Sequence, residues 1–314
     1  MADILDGRKL ADEIKSEVKK EVETLNKIGI DVGLSLLLVG ENAASAQYFQ
    51  ATLSACRKTG ITAYEFKLPA TITVNEILNV VNKINIDERI NGLLILMPLP
   101  RHINSRRIIN HIVPEKDIDG LGAISVGRLA ADESTFQLFK KDKRDVDQQS
   151  RFIPSIWSFL PCTPFGVIRL LEHHNVKIKG KHAVIIGKSL AVGKPLSTMF
   201  LAKEATVTVC HKETADLGRI TRQADILCSA TGRAGLITGR MIKKGTVVVD
   251  IGINVLKGGT ITGDIDFNSV SKKASLITPV PGGVGPVTIS MLLENTVRSA
   301  QRNELFKSPL LVMG

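Results

Sequence analysis

The chain has 314 residues, with 41 Lys+Arg against 31 Asp+Glu and a formal net charge of +10. Apolar residues make up 44% and charged residues 23%, which excludes whole-chain disorder, and at about 150 residues per domain the length predicts two domains. Glycine has no triplet period, no heptad run persists, and no uncharged apolar stretch reaches the roughly 18 residues of a membrane span, so collagen, coiled coil and a transmembrane helix are all excluded. The start, Met1-Ala2-Asp3-Ile4, reads as folded-domain sequence rather than a signal or transit peptide. A cytoplasmic location is expected, or the mitochondrial matrix if a transit segment was removed ahead of this numbering. Cys56, Cys162, Cys210 and Cys228 lack CxxC spacing and read as free thiols in a reducing compartment. The positive charge invites an anionic partner. Aromatics are only 4% and the basic residues are dispersed, which counts against nucleic acid, and small phosphates or polyglutamates fit a basic surface equally well.

The elements alternate. Leu10, Ile14, Val18, Val22 and Leu25 recur at helical spacing before a capping Gly29. Residues 34–39 are a continuous apolar run, as in a strand buried on both faces. Helices are predicted over 43–58 and 74–85, and a second buried strand over 92–96. Strands separated by helices imply right-handed βαβ units and a parallel sheet. Residues 132–158, including the charged run Lys140–Arg151, break this order and read as a solvated surface loop. From 161 a second α/β pattern begins. It has helices at 164–174, from Gly193 and at 287–302, and strands at 182–186, 205–209, 225–228, 246–250 and 276–277.

Four segments carry chemistry. Gly187-Lys-Ser-Leu-Ala-Val-Gly193-Lys-Pro195 falls at a strand-to-helix turn, where backbone amides at a helix start can face a phosphate and Ser189 can add a hydroxyl. The next strand ends at Val209-Cys-His211-Lys212, the place that reaches an adenosine ribose in a doubly wound fold. Lys188 and Lys212 there favour a 2′-phosphate, and Glu204 just before the strand complicates this. Asp250-Ile-Gly-Ile-Asn254 is a further turn at a strand end, and Pro281-Gly-Gly-Val-Gly-Pro286 is a loop through which backbone can approach a ligand closely. In the first half, Ser45-Ala-Gln-Tyr48 opens a helix. Asp117 and Asp119 follow Pro114, either as metal-ligating carboxylates or, better, as turn caps.

Taken in order, these motifs resemble the bifunctional methylenetetrahydrofolate dehydrogenase/cyclohydrolase (FolD) family over residues 4 to about 303. The resemblance rests on Val39–Tyr48, Pro98-Leu-Pro100, Pro114–Gly120, Pro161–Gly166, Gly187–Ser189 with Val192-Gly193, Ala205–His211 and Thr278–Pro286. It implies an α/β fold with an N-terminal α/β domain over 1–130, completed by a C-terminal helix at 287–303, and a Rossmann-type NAD(P)-binding domain over 161–286. A folate cleft is expected between them, with a surface loop inserted over 131–160 and a tail over 304–314. A homodimer is expected, with no nucleic-acid or membrane partner and no resident metal.

Residue by residue, the resemblance assigns Ser45, Tyr48, Met97, Pro98 and Asp119 to folate, Asp119 anchoring the pterin ring. Pro281, Gly282, Gly283, Val284 and Pro286 join them. Gly187, Lys188, Ser189, Val192 and Gly193 are assigned to the cofactor, as are His211, Lys212, the Thr231-Gly232 pair and Ile253. Two departures stand out. The family pattern is Tyr, three residues, then a catalytic Lys, and here Tyr48 is followed by Thr52. The family's Gln-Leu-Pro-Leu-Pro is here Leu96-Met-Pro-Leu-Pro100.

Opening the methenyl ring needs water attack and proton shuttling, where a positioned base contributes about 10²–10⁴-fold. Thr52 and Leu96 offer none, so cyclohydrolase activity is expected to be weak or lost. Hydride transfer needs orientation rather than a base, so oxidation of 5,10-methylenetetrahydrofolate is expected to survive. NADP is the favoured cofactor because two lysines can pair with its phosphate. NAD with inorganic phosphate and Mg²⁺, as in mitochondrial members of the family, is the other. The competing reading is a catalytically inactive folate- or nucleotide-binding homologue that acts as a regulator or partner subunit.

Overall fold

The apolar stripe Leu10, Ile14, Val18, Val22 and Leu25 is buried along one side of helix α1 (Gly7–Lys27), as its spacing requires. The computed structural model describes residues 1–131, 158–256 and 258–307, the last five of these by backbone alone. The charged run 140–151 and the tail beyond 307 lie outside the described residues.

The chain divides into two units, Met1–Lys20 with Pro161–Glu294, and Glu21–Leu160 with Asn295–Gly314. This differs from the expected split at 130 and 287. Strand β1 (Asp3–Ile4) pairs in parallel with β11 (Leu276–Ile277), with Asp3 N donating to Ser275 O and Leu5 N to Ile277 O, both at 2.9 Å. A sheet edge satisfied by the chain's own start holds the first residues with the second α/β pattern.

The unit built on 21–160 holds a three-stranded parallel sheet in the order β3 (Thr62–Leu68), β2 (Gly33–Val39), β4 (Gly92–Ile95). Every residue of β2 and β4 is buried, which is why β4 reads as an apolar run and β2 as one interrupted only by Ser35. Strand β3, Thr-Ala-Tyr-Glu-Phe-Lys-Leu, was not predicted because it mixes polar and apolar residues, as an edge strand does. Helix α2 (Ala43–Thr59) is capped by the Asn42 side chain on Ser45 N, and by Gly60 at φ 79° donating to Cys56 O. Helix α3 (Val74–Ile86) opens with a reciprocal Thr73–Glu76 capping box. Two shorter helices, α4 (Ser105–Ile109) and α5 (Ala123–Ala131), follow.

The other unit carries α6 (Cys162–His173), β5 (His182–Ile186), α7 (Gly193–Ala202), β6 (Thr206–Cys210), α8 (Leu217–Thr221), β7 (Ile226–Ser229) and β8 (Val247–Asp250). A hairpin β9 (Asn254–Val255)–β10 (Ile261–Thr262), α9 (Phe267–Val270), β11 and α10 (Val284–Lys307) complete the described elements. Its six-stranded sheet runs β1-β11-β8-β7-β5-β6 with every pairing parallel. The chain turns from β5 to β6 on one side and then to β7 on the other. That reversal opens a crevice at the carboxyl ends of β5 and β7, the ligand site of doubly wound sheets. The four cysteines are free and buried, and burial pushes the Cys56 thiol up to about 12. No described helix is long and apolar enough to cross a membrane.

Candidate active site

At the end of β5, Gly187 has φ 112°, and a Cβ there would lie 2.4 Å from Ala230 O. A Cβ on Gly193 would lie 1.9 Å from Gly187 O, so the turn closes this tightly only with glycine at both ends. Ser189 Oγ accepts from Val192 N at 3.1 Å and from Gly193 N at 3.4 Å, which caps the start of α7 and leaves the hydroxyl proton available to a ligand. Gly187 N donates to Cys210 O at 2.9 Å, which ties the turn to the end of β6. Lys188 and Lys212 are exposed, Lys212 lying 3.5 Å from Glu213. Glu204 sits at the opposite, amino end of β6 in an ion pair with Lys179. It therefore does not oppose a phosphate at the carboxyl edge. A glycine cradle at the start of a ten-residue helix fits a dinucleotide pyrophosphate.

The loops after β7 and β8 meet in a feature that the sequence reading missed. Asp264 is fully buried. Its Oδ2 accepts from Ser229 Oγ (3.0 Å), Thr231 N (2.6 Å) and Thr231 Oγ1 (2.9 Å). Its Oδ1 accepts from Arg233 N (3.0 Å) and Asn254 Nδ2 (3.1 Å). Buried Asp250 accepts from Gly252 N, Asp264 N and Ile265 N, each at 3.0 Å. Burial, with Asp264 nearby, raises the Asp250 carboxyl to about 6. A Cβ on Gly252 would lie 2.1 Å from Asp264 Oδ1, and one on Gly263 would lie 1.9 Å from Asp250 Oδ2. The Gly-Asp pair at 263–264, after the Asp-Ile-Gly turn at 250–252, was the available signal. The reciprocity shows only once the segment after β10 folds back onto the end of β8, where Asp264 N and Ile265 N donate to Asp250.

In the other unit, Ser45 Oγ donates to Met97 O at 2.8 Å, tying the start of α2 to the segment after β4. Met97 is 37% exposed, and Pro98 is exposed after a cis peptide bond. Tyr48 is half-buried one turn into α2. Thr52, one turn further, is 0% exposed and its Oγ1 donates to Tyr48 O at 2.9 Å. Leu96 is 2% exposed and its N–H donates to Leu37 O. Arg57 and Lys58 are exposed beyond the buried face.

Asp117 accepts from Leu121 N, Gly122 N and, at 2.6 Å, Ser125 Oγ, so it caps α5, as the turn-cap reading has it. Burial raises its carboxyl to about 6. Asp119 is half-buried two residues on, held from behind by Asn295 Nδ2 donating to Ile118 O at 2.8 Å. Among the described residues, no group of three or more His, Cys, Asp or Glu is placed to hold a metal.

The Pro281–Pro286 loop belongs with the dinucleotide turn's unit. Gly282, at φ 118°, accepts from Gly7 N at 3.1 Å, and a Cβ on Gly7 would lie 1.8 Å from Gly283 O. Of the loop's own glycines, Gly282 faces the Arg8 side chain of α1, and a Cβ on Gly283 would lie 2.7 Å from both Pro279 O and Thr278 Cβ. Val284 is buried and opens α10, with Pro286 in the first turn.

A parallel sheet reversing at β5 behind a glycine turn defines an α/β protein with a Rossmann-type NAD(P)-binding domain. Residues 161–304 match the family described as tetrahydrofolate dehydrogenase/cyclohydrolase, NAD(P)-binding domain, and residues 5–119 match the catalytic domain of the same family. The bifunctional protein FolD of Thermodesulfovibrio yellowstonii is 44% identical over 300 residues, 96% of this chain and 97% of its own. The solved FolD dehydrogenase/cyclohydrolase of Campylobacter jejuni superposes with TM-score 0.85 at 44% identity, covering 96% of this chain and 100% of its own. The Trypanosoma brucei enzyme, solved with NADP cofactor and inhibitor, gives 0.86 at 34% identity over 96% of this chain and 98% of its own. The chain belongs to the tetrahydrofolate dehydrogenase/cyclohydrolase family.

Proposed function

We propose that this chain oxidises 5,10-methylenetetrahydrofolate to the 5,10-methenyl form by hydride transfer to NAD(P), and that its cyclohydrolase step is weak or lost. Family membership and the glycine turn support the first half. NAD(P), when bound, supplies the hydride acceptor at its nicotinamide ring. In this reading the Gly187–Gly193 turn holds the pyrophosphate, Lys188 and Lys212 pair with a 2′-phosphate, and the Asp119 carboxylate anchors the pterin by hydrogen bonds. The folate nitrogen lone pair expels the hydride, so the chain needs to orient the substrate but not to remove a proton.

The observation that carries the second half is the committed Thr52 hydroxyl. Thr52 and Leu96 stand where the resemblance places Lys and Gln. The hydroxyl is buried and bonded to its own helix, and Leu96 has no polar group. Neither can activate water for attack on the methenyl carbon. The test follows reduced cofactor and methenyl-folate together by absorbance, with NADP and with NAD plus phosphate and Mg²⁺. Accumulating methenyl-folate supports a dehydrogenase without effective hydrolysis. Rapid methenyl loss sinks the second half. Folate binding with no reduction supports instead the inactive homologue acting as a regulator or partner subunit. A homodimer and a cytoplasmic location complete the proposal. Light scattering and cell fractionation test them.

A further inference from the structure

We infer that Asp264 is the positioning residue for the nicotinamide half of the dinucleotide, holding the loops after β7 and β8 as one surface. This inference rests on the dinucleotide-binding part of the proposed function.

The sheet order places the halves of such a ligand. Strand β6 lies on one side of β5 and receives the adenosine end, while β7 and β8 lie on the other side, towards which the second half must extend. The loop 230–233 adjoins the phosphate turn directly, since Ala230 N donates to Ile186 O at 2.8 Å and Ala230 O crowds Gly187. The backbone of that loop has little regular structure of its own. Its Thr231 and Arg233 amides both end on Asp264, and the second loop is tied to the same carboxylate through Asn254 Nδ2.

Both oxygens of Asp264 face a main-chain N–H, a donor that cannot be turned round. An amide at this position must therefore aim an NH₂ group at one of them. Asp250 holds the Asp264 backbone from behind, and Gly252 and Gly263 let the two carboxylates approach. Asp225 offers a comparison at the opposite edge of the same sheet. It accepts from His182 N at 2.9 Å and Lys243 Nζ at 2.7 Å, far along the strands from either loop.

The experiment measures binding by calorimetry, using NADPH or NADH for the whole dinucleotide and 2′,5′-ADP or ADP for the adenosine half. Asp264→Asn is expected to weaken the whole dinucleotide by about ten-fold or more, the effect of leaving a buried donor unmatched, and to leave the adenosine half within about two-fold. Asp225→Asn is expected to lower thermal stability without changing either affinity. Equal weakening of both probes by Asp264→Asn, or no weakening of either, overturns the inference. If that variant does not fold, Asn254→Ala removes one donor and is expected to shift only the whole-dinucleotide probe. Hydrogen exchange on the unliganded wild type adds a second reading. Thr231 and Arg233 amides exchanging as slowly as those of β7 support the inference, and free exchange at both overturns it. Wild type that binds no dinucleotide removes this inference and the proposed function together. Wild type that binds dinucleotide but oxidises no folate removes the activity alone.

Discussion

The Thr52 hydroxyl donates to the Tyr48 carbonyl one turn earlier in the same helix, at 2.9 Å. A threonine that closes this bond presents a methyl group and a used donor where a proton-transfer group would have to stand. Thr52→Val keeps the shape and removes only that local bond. The expected result is dehydrogenase turnover within about two-fold of wild type, because hydride transfer draws on orientation rather than on a base. A large loss of turnover in the folded variant gives the hydroxyl a role that this reading denies.

Thr52→Lys combined with Leu96→Gln is the converse. Restoring a titratable base and a polar partner is expected to raise methenyl hydrolysis by about 10²-fold or more, the lower range for positioned acid–base catalysis. Stability should fall, since both positions are fully or nearly fully buried and a lysine there pays for desolvation. Hydrolysis that stays at the wild-type level in the folded double variant would falsify the assignment of these two positions.

In the proposed reading, Lys188 and Lys212 decide the cofactor. If they pair with a 2′-phosphate, Lys188→Ala and Lys212→Ala each raise the NADP KM by about ten-fold and leave the NAD KM unchanged. Initial rates with both cofactors check this. Equal effects on NADP and NAD place the lysines elsewhere than on the 2′-phosphate.

Gly193→Ala introduces a Cβ 1.9 Å from the Gly187 carbonyl oxygen, an overlap that only backbone movement relieves. Dinucleotide binding is expected to drop by at least about ten-fold, with a lower Tm. Gly127, whose Cβ would meet nothing within 4 Å, is the control. Gly127→Ala should leave binding unchanged.

Asp117 sets a pH dependence. Burial raises its folded-state carboxyl from an ordinary 3.8 to about 6, so the folded chain binds the proton more tightly than the unfolded chain does. The stability contributed by this proton is complete below about 3.8 and is lost as pH rises through about 6. Asp117→Asn cannot titrate, so its urea midpoint should decline less than that of wild type between those values. Parallel curves for the two proteins remove Asp117 as a source of the slope.

Most of the strands and longer helices were legible in the chain because their faces are uniform. A largely apolar run such as Leu34–Val39, polar only at Ser35, specifies a strand covered on both sides, and the five-residue stripe of α1 specifies one buried helix face. Strand β3 was not legible, because Thr62–Leu68 has no uniform face and is a strand only through its register with Gly33–Val39. The glycine turn at 187–193 and the threonine at position 52 could be read residue by residue, since glycine geometry and side-chain chemistry are local.

Three things needed the tertiary structure. The first residues join the second sheet because β11 is an open parallel edge. Glu204 is removed from the phosphate edge by strand direction. The Asp250–Asp264 interlock exists only where two loops, distant in sequence, share carboxylates under glycines. Residue type and short-range spacing determined the family. Long-range hydrogen bonding decided which backbone groups are held and on which edge of the sheet each charge stands, because such bonds are satisfied by whatever the fold brings within 3 Å rather than by neighbours in the chain.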